Sequence, residues 1–117
     1  MLITKLLAKS MRVDNDYYPT PQSILDVLVD ELEWPKSTTI WECCAGDGRL
    51  VDTFEKKGYE VIAHDIVSGH DFFDWSEAPT IALVTNPPFK HIRPFIDHAF
   101  KIGITKMALV CPERLWA

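Results

Sequence analysis

The sequence predicts an α/β domain built on a mostly parallel sheet with helices on both faces. Two observations carry this. The stretches "TTIWECC", "EVIAHDI", "TIALVTN" and "KMALVC" are apolar throughout rather than alternating, which is how strands covered on both sides read. Between them lie segments with apolar residues at helical spacing, so strands and helices take turns along the chain. A length of 117 residues with 47% hydrophobic content is enough for one core, and no repeat, low-complexity tract or linker divides it. Residues 1–117 are therefore expected to form a single domain.

Taken in order, "MLITKLLAKSMR" is basic and apolar. It lacks the long apolar centre and small-residue cleavage site of a signal peptide, and reads as an ordinary start, with a mitochondrial targeting segment as the alternative. Thr20 is expected to cap a helix whose first residue is Pro21, with Ile24, Leu25, Leu28 and Leu32 on its buried face and a stop before Pro35. "TTIWECC" is a strand that runs into Ala45-Gly46-Asp47-Gly48. Leu50, Val51 and Phe54 then predict a short helix closed by Gly58. "EVIAHDI" and "TIALVTN" read as buried strands. Ile92, Phe95, Ile96, Ala99 and Phe100 mark a helix ending at Gly103, and "KMALVC" is a last strand stopped by Pro112. Strand, glycine turn and helix in succession make the unit Rossmann-like.

The net charge of −5 argues against a general nucleic-acid coat protein, but the charge is unevenly placed. Positions 1–12 hold three basic and no acidic residues, 13–89 hold four against fifteen, and 90–117 hold five against two. Lys90, His91 and Arg93 form either a solvated helix start or contacts to phosphate. Cys43, Cys44 and Cys111 are odd in number and lack C-x-x-C spacing, so neither a disulfide framework nor a zinc knuckle is indicated, and a reducing compartment fits. His64, His70, His91 and His98 share no ligand spacing, and no metal site is expected.

Two stretches carry chemistry. In "WECCAGDG" the glycines sit between strand and helix, where they suit either a tight turn or close approach of a ligand to the backbone. Glu42 ends the strand, which disfavours a phosphate, and no Lys-Ser/Thr pair follows as in a P-loop. Asp65 ends the next strand 23 positions after Glu42, near the spacing at which an acidic residue takes ribose hydroxyls. A ligand containing adenosine but no pyrophosphate fits these features. In "TNPPFKHIRPF" each proline deletes a backbone donor, so Asn86, Pro87 and Pro88 make a rigid group of acceptors beside the flat face of Phe89. Such a cluster suits a planar amine.

These stretches together resemble the class I S-adenosylmethionine (SAM)-dependent methyltransferases, specifically the N6-adenine DNA methyltransferases. Four elements match in order: Tyr18-Pro19-Thr20-Pro21; Glu42-Cys43-Cys44-Ala45-Gly46-Asp47-Gly48, with Cys43 where the family has proline; Asp71-Phe72; and Asn86-Pro87-Pro88-Phe89. The resemblance implies SAM as cofactor and the N6 amine of a flipped adenine in DNA as methyl acceptor. Asp65 would take the ribose hydroxyls and Asp71 the cofactor's adenine amine, with Ile66 and Phe72 sandwiching that ring; the alternatives are that Asp71 caps local backbone and that one of Phe72 and Phe73 packs in the core. The turn at Glu42, Ala45, Gly46 and Gly48 would pass under the methionine moiety near Tyr18, Thr20 and Pro21.

Asn86 and Pro87 would accept from the target amine, Pro88 would stiffen the turn, and Phe89 would stack on the base. Two other readings use the same residues: methylation of RNA guanine N2 or protein glutamine, and a non-catalytic SAM-binding module. Relatives continue for two strands past the one matching "KMALVC", so the chain reads as a short, phage-type or truncated member without a target-recognition domain. Its expected setting is the cytoplasm of a bacterium or phage-infected cell. An uncovered edge at Met107, Leu109 and Val110, followed by Leu115 and Trp116, predicts a homo-oligomer through the C-terminal strand.

Overall fold

Alternation of side chains along the strands sets the layering. The computed structural model describes residues 2–8, 20–87 and 92–112. Five strands, β1 (Leu2–Ala8), β2 (Thr39–Glu42), β3 (Glu60–Ala63), β4 (Ala82–Thr85) and β5 (Lys106–Pro112), form one sheet in the order β1-β5-β4-β2-β3. Every pairing is parallel. On one face Ile40, Ala82, Val84, Ala108 and Val110 meet Leu25, Leu28 and Val29 of α1 (Gln22–Glu31) and Leu50 and Phe54 of α2 (Arg49–Lys56). On the other, Trp41, Leu83, Met107 and Leu109 pack with Ile92, Phe95 and Ala99 of α3 (Ile92–Lys101). The period of two along each strand thus feeds two cores, and both faces carry helices as the apolar strands required. The fold is a small α/β, Rossmann-like one.

Local chemistry accounts for the element ends. Pro94 falls in the first turn of α3, where its missing donor costs no intrahelical bond. Gly58 adopts φ 98°, releasing the chain from α2 toward β3. Helix α1 departs from expectation: Pro21 is its N-cap and no side chain caps it. The Thr20 hydroxyl is engaged elsewhere, as described below. β3 also departs. It lies at the sheet edge with its ends exposed and its centre half-buried, not covered on both sides.

The main correction concerns β5. Its edge is not open, because β1 pairs with it in parallel from Leu2↔Lys106 to Ala8↔Pro112. The stretch read as an ordinary start is a strand, and the reason for expecting association through the β5 edge falls away. Pro112 ends β5 as expected; Leu115 and Trp116 lie outside the described residues.

Deleting residues 1–8 uncovers β5 and should move the protein toward aggregates or oligomers in sedimentation. An unchanged sedimentation profile with the wild-type urea midpoint would show that β1 adds nothing. Phe95→Ala, which empties a fully buried ring site between α3 and the sheet, should cost ~3–5 kcal/mol in urea unfolding.

Candidate functional site

The strand order reverses between β2 and β4, because β2 continues through α2 to β3 on one side while β4 leads to β5 on the other. In open α/β sheets the crevice at the carboxyl ends of such strands receives ligands. Here it is a small cleft with a cavity volume of about 40 Å³, partly open to solvent, and its wall includes Thr20, Glu42, Cys44, Ala45, Gly46 and Asn86. The parts of the sequence that the motifs singled out, 66 positions apart at their extremes, therefore meet at one place.

Glu42 forms the floor and is 1% exposed. Its Oε1 accepts from the Cys44 N–H at 2.7 Å and from the Thr85 hydroxyl at the end of β4. Burial pushes its carboxyl up to about 8, against an ordinary value of 4.5; the two hydrogen bonds oppose the rise and the nearby Asp65 charge adds to it. Near neutral pH the ligand-free cleft thus has a largely protonated acid at its base. A cation placed there would favour the ionised form.

The turn after Glu42 owes its shape to backbone conformation. Gly46 and Gly48 have φ 55° and 83°. A Cβ on Gly48 would meet nothing within 4 Å, so left-handed backbone, not crowding, calls for glycine there. The turn is fastened to the neighbouring strand end at two points: Ala45 N–H donates to the His64 carbonyl at 3.0 Å, and Gly46 N–H donates to Asp65 Oδ2 at 2.6 Å. The other Asp65 oxygen accepts from Val67 N–H at 3.3 Å. At the rim Asp47 accepts from the Arg49 backbone and guanidinium, which lower its carboxyl.

Across the cleft, Asn86 Nδ2 donates to Thr20 Oγ1 at 2.6 Å. That bond engages the Thr20 hydroxyl, which does not cap α1. Pro87 is buried beside it.

The remaining candidates separate from this cleft. Gly48 is the N-cap of α2 and Pro21 that of α1. Ile66 follows Asp65 and is 62% exposed. Asp71 Oδ1 accepts from Phe73 N–H at 3.0 Å, capping a short 3₁₀ turn, and Asp71 lines a second, broader hollow with His70, Asp74 and Trp75. Phe72, expected against a ligand ring, is 3% exposed and stacks on Phe95 with centroids 4.2 Å apart; the ring exposed at this turn is Phe73. Arg93 is exposed in the first turn of α3. Tyr18, Pro88, Phe89, Lys90 and His91 lie outside the described residues.

Residues that sequence reasoning missed complete the site. Thr85 fixes the Glu42 carboxyl, and a polar residue closing an apolar strand level with Glu42 was the available signal. Leu25 and Leu50 give the cleft its apolar wall, and both were read only as helix core. Behind the floor, Trp41 Nε1 donates to His64 Nδ1 at 3.0 Å, while burial and the neighbouring His70 lower the His64 ring's proton affinity.

The fold is a small Rossmann-like α/β domain with a cleft at its topological switch point. Compared with known proteins, the chain matches no family model, no curated protein and no solved structure. No helix among the described residues is long and apolar enough to cross a membrane.

The buried acid makes stability depend on pH. The folded state keeps the Glu42 proton up to about 8, whereas the unfolded chain releases it near 4.5. Its contribution is therefore complete below that lower value and is lost as pH rises through about 8. Glu42→Gln should flatten this decline in chemical denaturation run in metal-free buffer, and should be the more stable protein at the alkaline end. Parallel profiles for the two proteins would refute the assignment.

Proposed function

We propose that this chain binds SAM in the cleft at the ends of β2 and β4 and transfers its methyl group to the N6 amine of adenine in DNA. The observation that carries the reading is the meeting of Asn86, held by Thr20, with the glycine turn and Asp65 at the switch point. Three of the four motif elements that resemble the adenine methyltransferases contribute to this one place. The fourth, Asp71-Phe72, stands at the adjoining hollow and core.

The chemistry asks little of the protein beyond placement. The adenine amine is a poor nucleophile because its lone pair is delocalised into the ring. Acceptance of its two hydrogens by Asn86 Oδ1 and the Pro87 carbonyl favours a pyramidal nitrogen, whose lone pair attacks the sulfonium methyl. SAM, when bound, would supply the methyl group and keep the carbon–sulfur electron pair as a neutral thioether, and the amine would lose a proton to solvent. No strong base is needed, and orientation with electrostatic stabilisation supplies the acceleration. The cofactor's positive charge suits a cleft with Glu42 at its floor and Asp65 behind its glycine turn, and drives Glu42 toward its ionised form.

Transfer from methyl-labelled SAM to DNA, RNA and protein panels tests the reading, with label in DNA adenine expected. Asn86→Ala should abolish transfer while calorimetry shows SAM affinity nearly unchanged. Asp65→Ala should weaken SAM binding by ~1–3 kcal/mol, since ribose hydroxyls lose a charged acceptor. No SAM binding at millimolar concentration by a folded chain would reject the cofactor. Binding without transfer to any panel would leave a SAM-binding module and reject the enzyme.

A further inference from the structure

Glu42, Cys43 and Cys44 follow one another where β2 gives way to the glycine turn. Adjacent side chains on a strand point to opposite faces, but the strand stops at Glu42 and the turn brings both thiols to one side. Their sulfurs lie 3.6 Å apart. One donor atom from each of the three residues falls in a set whose members are all within 4.8 Å of one another. Glu42 and Cys43 are buried, whereas Cys44 is half-buried and lines the cleft.

At this distance the two thiols share an S–H···S hydrogen bond in which either can donate; of the two bonded chemistries also open to such a pair, magnitudes favour one. A disulfide needs sulfurs about 2.0 Å apart on Cα atoms at least ~4.4 Å apart, and neighbouring residues offer only ~3.8 Å, so the ring would be strained. A tetrahedral ion with metal–sulfur bonds near 2.3 Å holds two sulfurs about 3.8 Å apart. The separation of 3.6 Å is close to that spacing and far from the disulfide's.

We propose that Glu42, Cys43 and Cys44 form a binding site for a thiophilic divalent cation of the zinc class, with a remaining coordination position toward the cleft. Two thiolates and a carboxylate are a donor set that zinc accepts, and three protein ligands with one open position is a recurrent arrangement for that ion. Binding displaces the two thiol protons, and the Glu42 proton where it is present, onto solvent; no electrons move. The ion's charge offsets the cost of burying the thiolates. The Thr85 hydroxyl and Cys44 N–H, both on Glu42 Oε1, hold the carboxylate in place behind it. Because Glu42 and Cys44 also line the cleft, the ion and any ligand reaching its floor exclude each other. The site stands whether or not that ligand is SAM. It escapes a search for C-x-x-C or histidine spacing because adjacent cysteines converge only where a strand ends.

The test uses the reduced full chain, titrated with zinc against a chromogenic chelator and with cobalt followed by absorbance. One equivalent of zinc, a thiolate-to-cobalt charge-transfer band, and zinc protection of Cys44 from iodoacetamide are expected. Cys43→Ser and Cys44→Ser should each weaken zinc binding by at least ~10-fold, as a lost ligand costs no less than a lost outer partner. Cys111→Ser, in β5, should not. Zinc uptake unchanged in the Cys43→Ser/Cys44→Ser double variant, or none by the folded wild type at micromolar metal, overturns the site. Should the serine variants fail to fold, the wild type decides: alkylation of Cys44 at equal rates with and without zinc also overturns it.

Discussion

One buried carboxyl joins the two halves of the molecule. Glu42 ends β2, and its Oε1 takes a hydrogen from Thr85 at the end of β4 and another from the backbone of the turn that follows it. β2 and β4 are the strands between which the sheet changes direction, so the same atom ties the switch point together and sets the depth of the cleft. A residue of this kind is expensive to bury unless its polar atoms are satisfied. Its environment shows the cost, with the carboxyl held protonated to about 8 despite the two donors. A leucine here would be cheaper to bury, but would leave the cleft without its polar floor.

The cores on either side explain why the site holds its shape. Trp41 lies one residue before Glu42 and is fully buried among Phe72, Trp75 and His64, with ring centroids 5.2 to 6.3 Å from its own. Aromatic contacts at these distances add to simple burial. They fix the end of β2 from the α3 side, while Leu25 and Leu50 close the α1 and α2 side and also face the cleft. The hydrogen bond from Gln22 to Thr53 at 2.9 Å links α1 to α2 near the same end. The turn can therefore be irregular because everything beneath it is packed.

Much of this was legible in the sequence where the signal was local. Apolar runs gave β2, β4 and β5, helical spacing gave α1, α2 and α3, and the punctuation at Gly58, Gly103 and Pro112 placed their ends closely. The failures share a cause in distant partners. "LITKLLA" carries a lysine and no flanking turn residues, and becomes a strand because β5 offers it a ladder. Thr20 has the right chemistry for a cap and is taken by Asn86 instead. Of the adjacent rings Phe72 and Phe73, only the position of Phe95 decides which one is buried. The motifs that locate the cleft were readable because their residue types are rare in combination, yet Thr85, Leu25 and Leu50 belong to it through geometry alone.

The pairing of the first strand with the last has a consequence in time. Leu2 leaves the ribosome about a hundred residues before Lys106, its partner in the ladder. At synthesis rates of roughly 5–20 residues per second, β1 waits on the order of 5–20 s with its backbone groups hydrated. The sheet can assemble from β2 outward in that interval, but it cannot close on the β1 side until translation of β5 is finished. The nascent chain thus carries β1 unpaired until then, and the sheet is completed in one late step that joins β1 to β5.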